Sequence, residues 1–311
     1  MNTQRTSSIK RGFTLMELMV ALAITTIIVT VLVSITSIAL DTWNRSRSEL
    51  RASRQAKGMI DTMARDFEAV VIRRGNTNEW LSAITETGTI GSRLESTNAS
   101  KLIFFTAATD RYNGAIGVAG TDAGGDVSCV SYGLTYKDPI GSSSLGFETF
   151  VLNRLLVNPD ETFKNLLGKT DLTSELQNYA VKIDDPANFV CENIYQFTIT
   201  FHVQVSKVTS GQNPVTTTIN VPVKLGKSNT EQTTNSLKVN GMGIESAYAG
   251  AAVTNDELKG GRITAVEISA TVISDFGIDQ IKRRVFSGSQ QSDFLAKNSY
   301  QYTKLIQFPG M

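Results

Sequence analysis

The 311-residue chain holds one histidine, His202, and two cysteines, Cys129 and Cys191. That is too few soft ligands for a structural zinc site of the usual Cys/His composition. A lone histidine also excludes an HExxH motif and obliges any Ser-His-Asp arrangement to use His202, which stands in the alternating, strand-like Phe201-His202-Val203-Gln204-Val205 as a polar position on a sheet face. Thirty Lys and Arg oppose 29 Asp and Glu, a net charge of +1, so no global basic field points to nucleic acid as a partner. Nucleotide-binding glycine patterns are missing as well. Asn240-Gly241-Met242-Gly243 has no third glycine at the dinucleotide spacing. Ahead of Gly168-Lys169-Thr170 and Gly226-Lys227-Ser228, Phe163 and Val221 stand where a phosphate-binding loop needs its first glycine. Asp122 and Asp126 read as solvated turn residues ahead of calcium ligands. The sequence therefore implies no enzyme, no cofactor and no metal. Apolar residues at 41% and charged residues at 19% describe a chain with a packed core.

One segment departs from that average. From Phe13 to Leu40 the chain runs 28 residues without Gly or Pro and with a single ionisable side chain, Glu17. As a helix it would span about 42 Å, enough to cross a hydrocarbon core of roughly 30 Å with tilt. It exceeds the apolar run of about 7 to 15 residues in a secretory signal, and no cleavage site follows a short core, so the segment stays in the product. Ahead of it, Met1 to Gly12 carries Arg5, Lys10 and Arg11 and no acid. Beyond it Arg45, Arg47, Arg51, Arg54 and Lys57 outnumber those three charges, so the positive-inside rule taken alone favours the leader outside.

The junction Arg11-Gly12-Phe13-Thr14-Leu15-Met16-Glu17 resembles the class III signal of type IV pilins and type II secretion pseudopilins, with its basic leader, a Gly before an aromatic, and an acid at the fifth position after cleavage. The resemblance implies a cytoplasmic leader, cleavage after Gly12 by a prepilin peptidase, and N-methylation of the new amino terminus at Phe13. Gly12 suits a narrow protease cleft because it has no side chain. A carboxylate such as Glu17 costs roughly 2.5–3.5 kcal/mol at the centre of a membrane helix. The resemblance offers a reason to keep it: pairing with the amine of Phe13 in a neighbouring subunit during assembly. The plainer reading is that Glu17 snorkels to headgroups.

Past the membrane the pattern predicts a helix to about Arg74, ended by Gly75-Asn76-Thr77-Asn78. Ala56, Ile60, Met63, Phe67 and Val70 or Val71 make an apolar stripe, and Ile60, Met63 and Phe67 are expected to pack on a globular head. Strands are expected at Lys101–Thr106, Val127–Tyr136, Phe147–Leu156, Tyr195–Val205, Thr216–Val223 and Ile263–Ile273. The fold class is thus α+β, a long N-terminal hydrophobic helix packed on an antiparallel β-rich head. Its parts are a leader (1–12), a transmembrane and assembly helix (13–40), an exposed amphipathic continuation (41–75) and a head (76–311). Within the head, a Ser-, Thr-, Asn- and Gly-rich stretch at about 227–261 reads as a surface insertion. Charge divides unevenly, with +3 in the leader, +3 over 41–74 and −4 over 75–311. Cys129 and Cys191 are open to two readings, a disulfide or two buried thiols.

Further along, Asp61-Thr62-Met63-Ala64-Arg65-Asp66-Phe67-Glu68 resembles the helix end of J-class minor pseudopilins and W-type minor pilins. Val130–Leu134, Phe150–Arg154 followed by Asn158-Pro159, Val190–Phe197 and Ile263–Ile268 follow in J-like order, while the 227–261 stretch departs from it. The resemblance implies a structural subunit that initiates or caps a type II secretion pseudopilus. It would be single-pass in the inner membrane with a periplasmic head, and its partners would be other pilin-like subunits and the prepilin peptidase, with no nucleic acid. The alternatives are a minor pilin of a type IV pilus or a membrane-tethered binding ectodomain.

Overall fold

Helix α1 runs over Leu15–Glu68, 54 residues, beginning where Thr14 caps it and crossing the whole apolar segment. The computed structural model describes residues 12–85, 96, 100–107, 125–139, 148–179, 183, 185–208, 216–226, 233–248, 253–283 and 289–308. The leader up to Arg11 and Asp122 lie outside the described residues, as do 227–232 and 249–252 of the expected insertion. The chain divides into two compact units, one ending at Ser48 and one beginning at Glu49.

In the first unit the helix stands alone. Its most apolar 18-residue window has a mean hydropathy of 2.7 and none of it is buried. Several hydroxyls within this surface donate to the helix's own backbone. Thr25 donates to the Ala21 carbonyl at 2.8 Å, Thr30 to Thr26 at 2.8 Å, Ser34 to Thr30 at 2.9 Å and Thr36 to Leu32 at 2.8 Å. Back-bonding of this kind lets a Thr- and Ser-bearing helix present hydrocarbon to its surroundings.

In the second unit two sheets and the end of α1 share one core. The seven-stranded sheet has the order β10-β9-β1-β2-β3-β4-β5 and the five-stranded sheet β12-β11-β6-β7-β8. Strands β1 (Glu79–Thr85), β2 (Ser100–Thr106), β3 (Ser128–Lys137), β4 (Thr149–Val157) and β5 (Phe189–Glu192) form a meander. The chain then passes to β6 (Ile194–Val208), β7 (Thr216–Leu225) and β8 (Thr233–Thr234), returns through β9 (Ser236–Asn240) and β10 (Gly243–Ser246), and closes with β11 (Arg262–Ile273) and β12 (Ser299–Gln307). Every pairing is antiparallel except the short β7–β8 pair.

Burial separates the sheets. All nine residues of β4 are buried, whereas β6 and β11 alternate between buried apolar and more open polar positions. A continuously buried strand needs cover on both faces. One face of the meander meets α1, whose Phe67 stacks on Phe104 of β2 with ring centroids 4.5 Å apart and meets Phe308, just past β12, at 5.9 Å. The other face meets the segment that follows β4, where Ser82 of β1 bonds Thr173 at 3.0 Å and Thr162 accepts the Cys129 N–H at 3.0 Å.

Asn193 makes the crossing between sheets possible. It sits between β5 and β6 at φ 65, the left-handed region that asparagine tolerates better than most residues. Its side chain accepts from Thr149 at 2.7 Å and donates to Asp275 at 2.9 Å, and its carbonyl accepts the Ile273 N–H at 2.8 Å.

Three expectations need correction. The helix ends at Glu68, short of Arg74. The Val70-Val71-Ile72 run is β-branched, and the chain leaves the helix to bridge Thr106 through Val70 and to donate from Val71 to Phe105 at 2.8 Å. Gly75 still turns the chain, at φ 83, but beyond the helix. The 227–261 stretch is not a surface appendage. Its β9 pairs with β1, and Leu237, Val239, Ile244, Tyr248, Val253 and Leu258 all enter the core. The polar residues that suggested an insertion bind the scaffold instead, since Lys238 pairs with Glu79 at 3.0 Å and Thr254 with Glu257 forms a capping box. Finally, the expected strands omit β1, β5, β8, β9, β10 and β12; β5, β8, β9 and β10 have five residues or fewer, β12 lies at a sheet edge, and β1 is a seven-residue strand paired on both sides.

Candidate assembly site

The N-terminal turn of α1 is built by Thr14 and Glu17. The Thr14 backbone N–H and its hydroxyl each donate to a Glu17 carboxylate oxygen at 2.9 Å, and the Glu17 N–H donates back to the Thr14 hydroxyl oxygen at 3.3 Å. This reciprocal pair is a capping box, which satisfies orphan donors at a helix start. Within the single chain Glu17 therefore already has partners, and its negative charge lies at the positive end of the helix dipole. The sequence carried the signal for it, Thr-x-x-Glu ahead of an apolar run, in Thr14-Leu15-Met16-Glu17.

Around the cap, Phe13 is 88% exposed, and Leu15, Met16, Leu18, Met19 and Leu22 are all exposed. At Gly12 an added Cβ would meet nothing within 4 Å, and the backbone there is not in the left-handed region. The fold of this chain places no demand for glycine at that position.

Where α1 meets the head, Ile60, Met63 and Phe67 are buried, together with one charged group, Asp66. Asp66 faces Arg154 of β4 in a two-pronged ion pair, Nη2 to Oδ1 at 2.7 Å and Nε to Oδ2 at 2.7 Å, with both side chains 2% exposed. The Tyr132 hydroxyl of β3 donates to the same carboxylate. Burial first, and the Asp66 charge second, hold the Tyr132 phenol well above its ordinary range, so it keeps its proton and remains a donor. Arg154 is the one charge in the apolar run Phe150-Val151-Leu152-Asn153-Arg154-Leu155-Leu156-Val157, a pattern that calls for a buried partner. Nearer the membrane segment, Arg51 bonds Glu192 and Asp275, both at 3.1 Å.

The two cysteines are free and buried, so the disulfide reading is set aside. Cys129 pairs across from Val157 of β4, and Cys191 across from Leu152 on the other edge of the same strand. Five residues of offset at ~3.4 Å and two strand spacings of ~4.8 Å separate them far beyond the 4.4–6.8 Å that a bridge requires. The register also turns their side chains to opposite faces of the sheet. Burial pushes each thiol up to about 12, with Glu192 adding to the effect at Cys191. Both thiols are thus protonated at neutral pH and poor nucleophiles. Neither should react with iodoacetamide in the native protein, both should react in denaturant, and reduction should leave the intact mass unchanged.

Among the described residues no group of three or more His, Cys, Asp or Glu side chains could hold a metal ion. His202 lies on β6, 3.6 Å from Glu267 of β11, in the sheet-face position expected for it.

The comparisons with known proteins bear on the N-terminal turn. A family model described as the prokaryotic N-terminal methylation motif matches residues 7–33. A type IV-like pilin from Thermus thermophilus aligns in structure over 83% of this chain and 97% of its own, at 9% identity and a TM-score of 0.29. No curated protein matches the chain significantly in sequence. The chain therefore carries the methylation motif at its N-terminus, in keeping with the resemblance of that region to type IV pilins.

Proposed function

We propose that this protein is a structural pilin-like subunit, cleaved after Gly12, N-methylated at Phe13, and built into a filament through α1. The single observation that carries the reading is the methylation motif over residues 7–33, leading into an apolar helix with one acid. The indifference of the fold to Gly12 supports it, because a residue that the chain does not need for folding is accounted for by an external protease. The exposed hydrocarbon of residues 13–40 supports anchorage in the inner membrane, with the head in the periplasm. Arg51 is held by two head carboxylates, which takes one of the five basic residues beyond the segment out of the free positive count that opposed this orientation.

Within that class the J-like order of segments favours a minor pseudopilin at the tip of a type II secretion pseudopilus, a structural role without catalysis. Mass spectrometry of the protein from its own cells tests the class, with an N-terminus at N-methylated Phe13 expected and an intact Met1 terminus opposing it. Gene deletion separates the two filament systems. Loss of protein secretion with normal twitching and transformation is the expected outcome, and the reverse pattern would place the subunit in a type IV pilus.

A further inference from the structure

The two sheets end at β10, β5, β12 and β8, and every edge but one is guarded. β8 is a two-residue strand and β5 a four-residue strand. Along β7, which β8 meets only at Lys224 and Leu225, Pro222 supplies no N–H, a device that discourages edge pairing. β10 is closed by the helix Asn255–Lys259, whose Lys259 carbonyl oxygen lies 2.1 Å from where a Cβ on Gly243 would stand. The exception is β12, nine residues in unbroken register with β11, without Pro or Gly and rich in aromatic and aliphatic residues. Its register shows which backbone groups are free. The Ser274 N–H donates to the Asn298 carbonyl and the Phe308 N–H to the Thr264 carbonyl, both at 2.9 Å. Hydrogen-bonded pairs alternate along an antiparallel ladder, so Tyr300, Tyr302, Lys304 and Ile306 bond to β11, while Gln301, Thr303 and Leu305 turn N–H and C=O to the open side. No backbone bond from another described residue reaches that side. The one charge on the strand, Lys304, is drawn to Asp61 of α1 at 2.9 Å and so does not guard the edge. Leu305 is 57% exposed beside an open depression of about 400 Å³ lined in part by Ile263, Ala265 and Gln307.

We propose that the β12 edge receives an extended, proline-free segment of a partner polypeptide as a further strand, with an apolar side chain of that segment seated beside Leu305. The free groups define the occupant. Donor and acceptor recur together at every second residue, about 6.8 Å along the strand, which an extended backbone matches. A helix does not match, because its own N–H and C=O groups are bonded internally. Main-chain pairing supplies affinity, and the depression reads one side chain in two, since directly opposed residues share a face. A second copy of this chain fits less well. Lys304 contacts Asp61, and Phe308 meets Phe67 with ring centroids 5.9 Å apart, so β12 runs in the same sense as the end of α1. Antiparallel pairing of two β12 strands would therefore set two α1 helices in opposite senses, which anchorage in one membrane does not permit. That step alone rests on the membrane reading above.

The test uses the full chain in detergent and two tetramethylrhodamine-labelled peptides of alternating Val and Thr, read by fluorescence anisotropy. The first carries N-methyl groups on its Thr amides, which closes one edge against self-stacking and leaves the Val edge free. The second is N-methylated at Val as well and can pair on neither edge. The first is expected to bind saturably, at least about tenfold more tightly than the second, and to slow hydrogen exchange within β12. Thr303→Pro is expected to weaken it by about tenfold or more. The Thr303 N–H is not used within the sheet, so this substitution removes a docking donor without breaking the ladder. Should Thr303→Pro disturb folding by circular dichroism, Leu305→Lys, at an exposed position, serves in its place by setting a charge on the edge. Absence of saturable binding, equal binding of the two peptides, slowed exchange elsewhere but not in β12, or indifference to both substitutions would each overturn the proposal. So would concentration-dependent self-association that Thr303→Pro abolishes, because it would give the edge to a second copy. Failure of processing at Gly12, by contrast, would sink the assembly reading and leave the peptide measurement untouched.

Discussion

Glu17→Ala and Glu17→Gln are both expected to lower incorporation into filaments by more than tenfold, while cleavage after Gly12 proceeds as in the unaltered chain. The pair of substitutions separates two roles of one carboxylate. In the single chain Glu17 is a capping partner of Thr14. Glutamine can serve that role, because capping boxes accept Gln at this position, so Glu17→Gln would assemble normally if the cap were all that mattered. A contact with the charged Phe13 amine of a neighbouring subunit requires the negative charge, and glutamine fails there as alanine does. The tenfold figure corresponds to about 1.4 kcal/mol, a modest demand on an ion pair in an apolar phase. Co-purification with partner subunits measures assembly, and the mass of the N-terminus measures cleavage. Normal incorporation of both variants would remove Glu17 from the assembly contact and leave it as a cap alone. Thr14→Val adds a complementary arm, since it strips the carboxylate of its local hydroxyl donor but keeps its charge and is expected to preserve assembly.

Arg154→Met is expected to destabilise the head by about 3–5 kcal/mol, because it leaves the Asp66 carboxylate buried without its countercharge. Asp66→Leu should cost a similar amount by isolating the guanidinium. The double substitution should recover part of the loss, since an apolar pair of comparable volume removes both buried charges and leaves only the Tyr132 hydroxyl without its acceptor. Urea unfolding of the full chain in detergent, followed by tryptophan fluorescence, measures all three. Trp80 is buried and sits 6.5 Å from Phe308, which itself meets Phe67, so the probe lies in the same core as the ion pair. Additive losses in the double variant would mean that the two groups do not act together. Tyr132→Phe removes one donor from the carboxylate and should cost less, about 1–2 kcal/mol, because the guanidinium continues to satisfy it.

These two sites differ in how far they could be read from residues alone. Glu17 stands out because it is the single charge in 28 apolar residues, and its cap partner is three positions away, so every relation that matters at this end is local. The apolar stripe of Ile60, Met63 and Phe67 was legible for the same reason, as were β2, β3, β4, β6, β7 and β11 with their β-branched and aromatic residues. Asp66 and Arg154 stood in the sequence only within short motifs; they are 88 positions apart, and only their burial against each other makes them a pair. The 227–261 stretch misled for a complementary reason. Its composition is polar, yet every second residue of β9 reaches the core once β1 supplies an edge to pair with, and period-2 burial over five residues is too short a pattern to stand out. The cysteines look equivalent in sequence, each within a strand-like run, and register alone places them on opposite faces.

The membrane-length helix, the N-terminal methylation motif, the capping box and the β-rich class of the head were thus legible in local order: composition, period and short spacing act within a few turns of chain. The end of α1 at Glu68, the entry of β9 and β10 into the core, the separation of the two thiols and the Asp66–Arg154 lock were decided by tertiary structure. Each depends on which distant segments come to lie side by side, and that follows from burying apolar surface over the whole head at once.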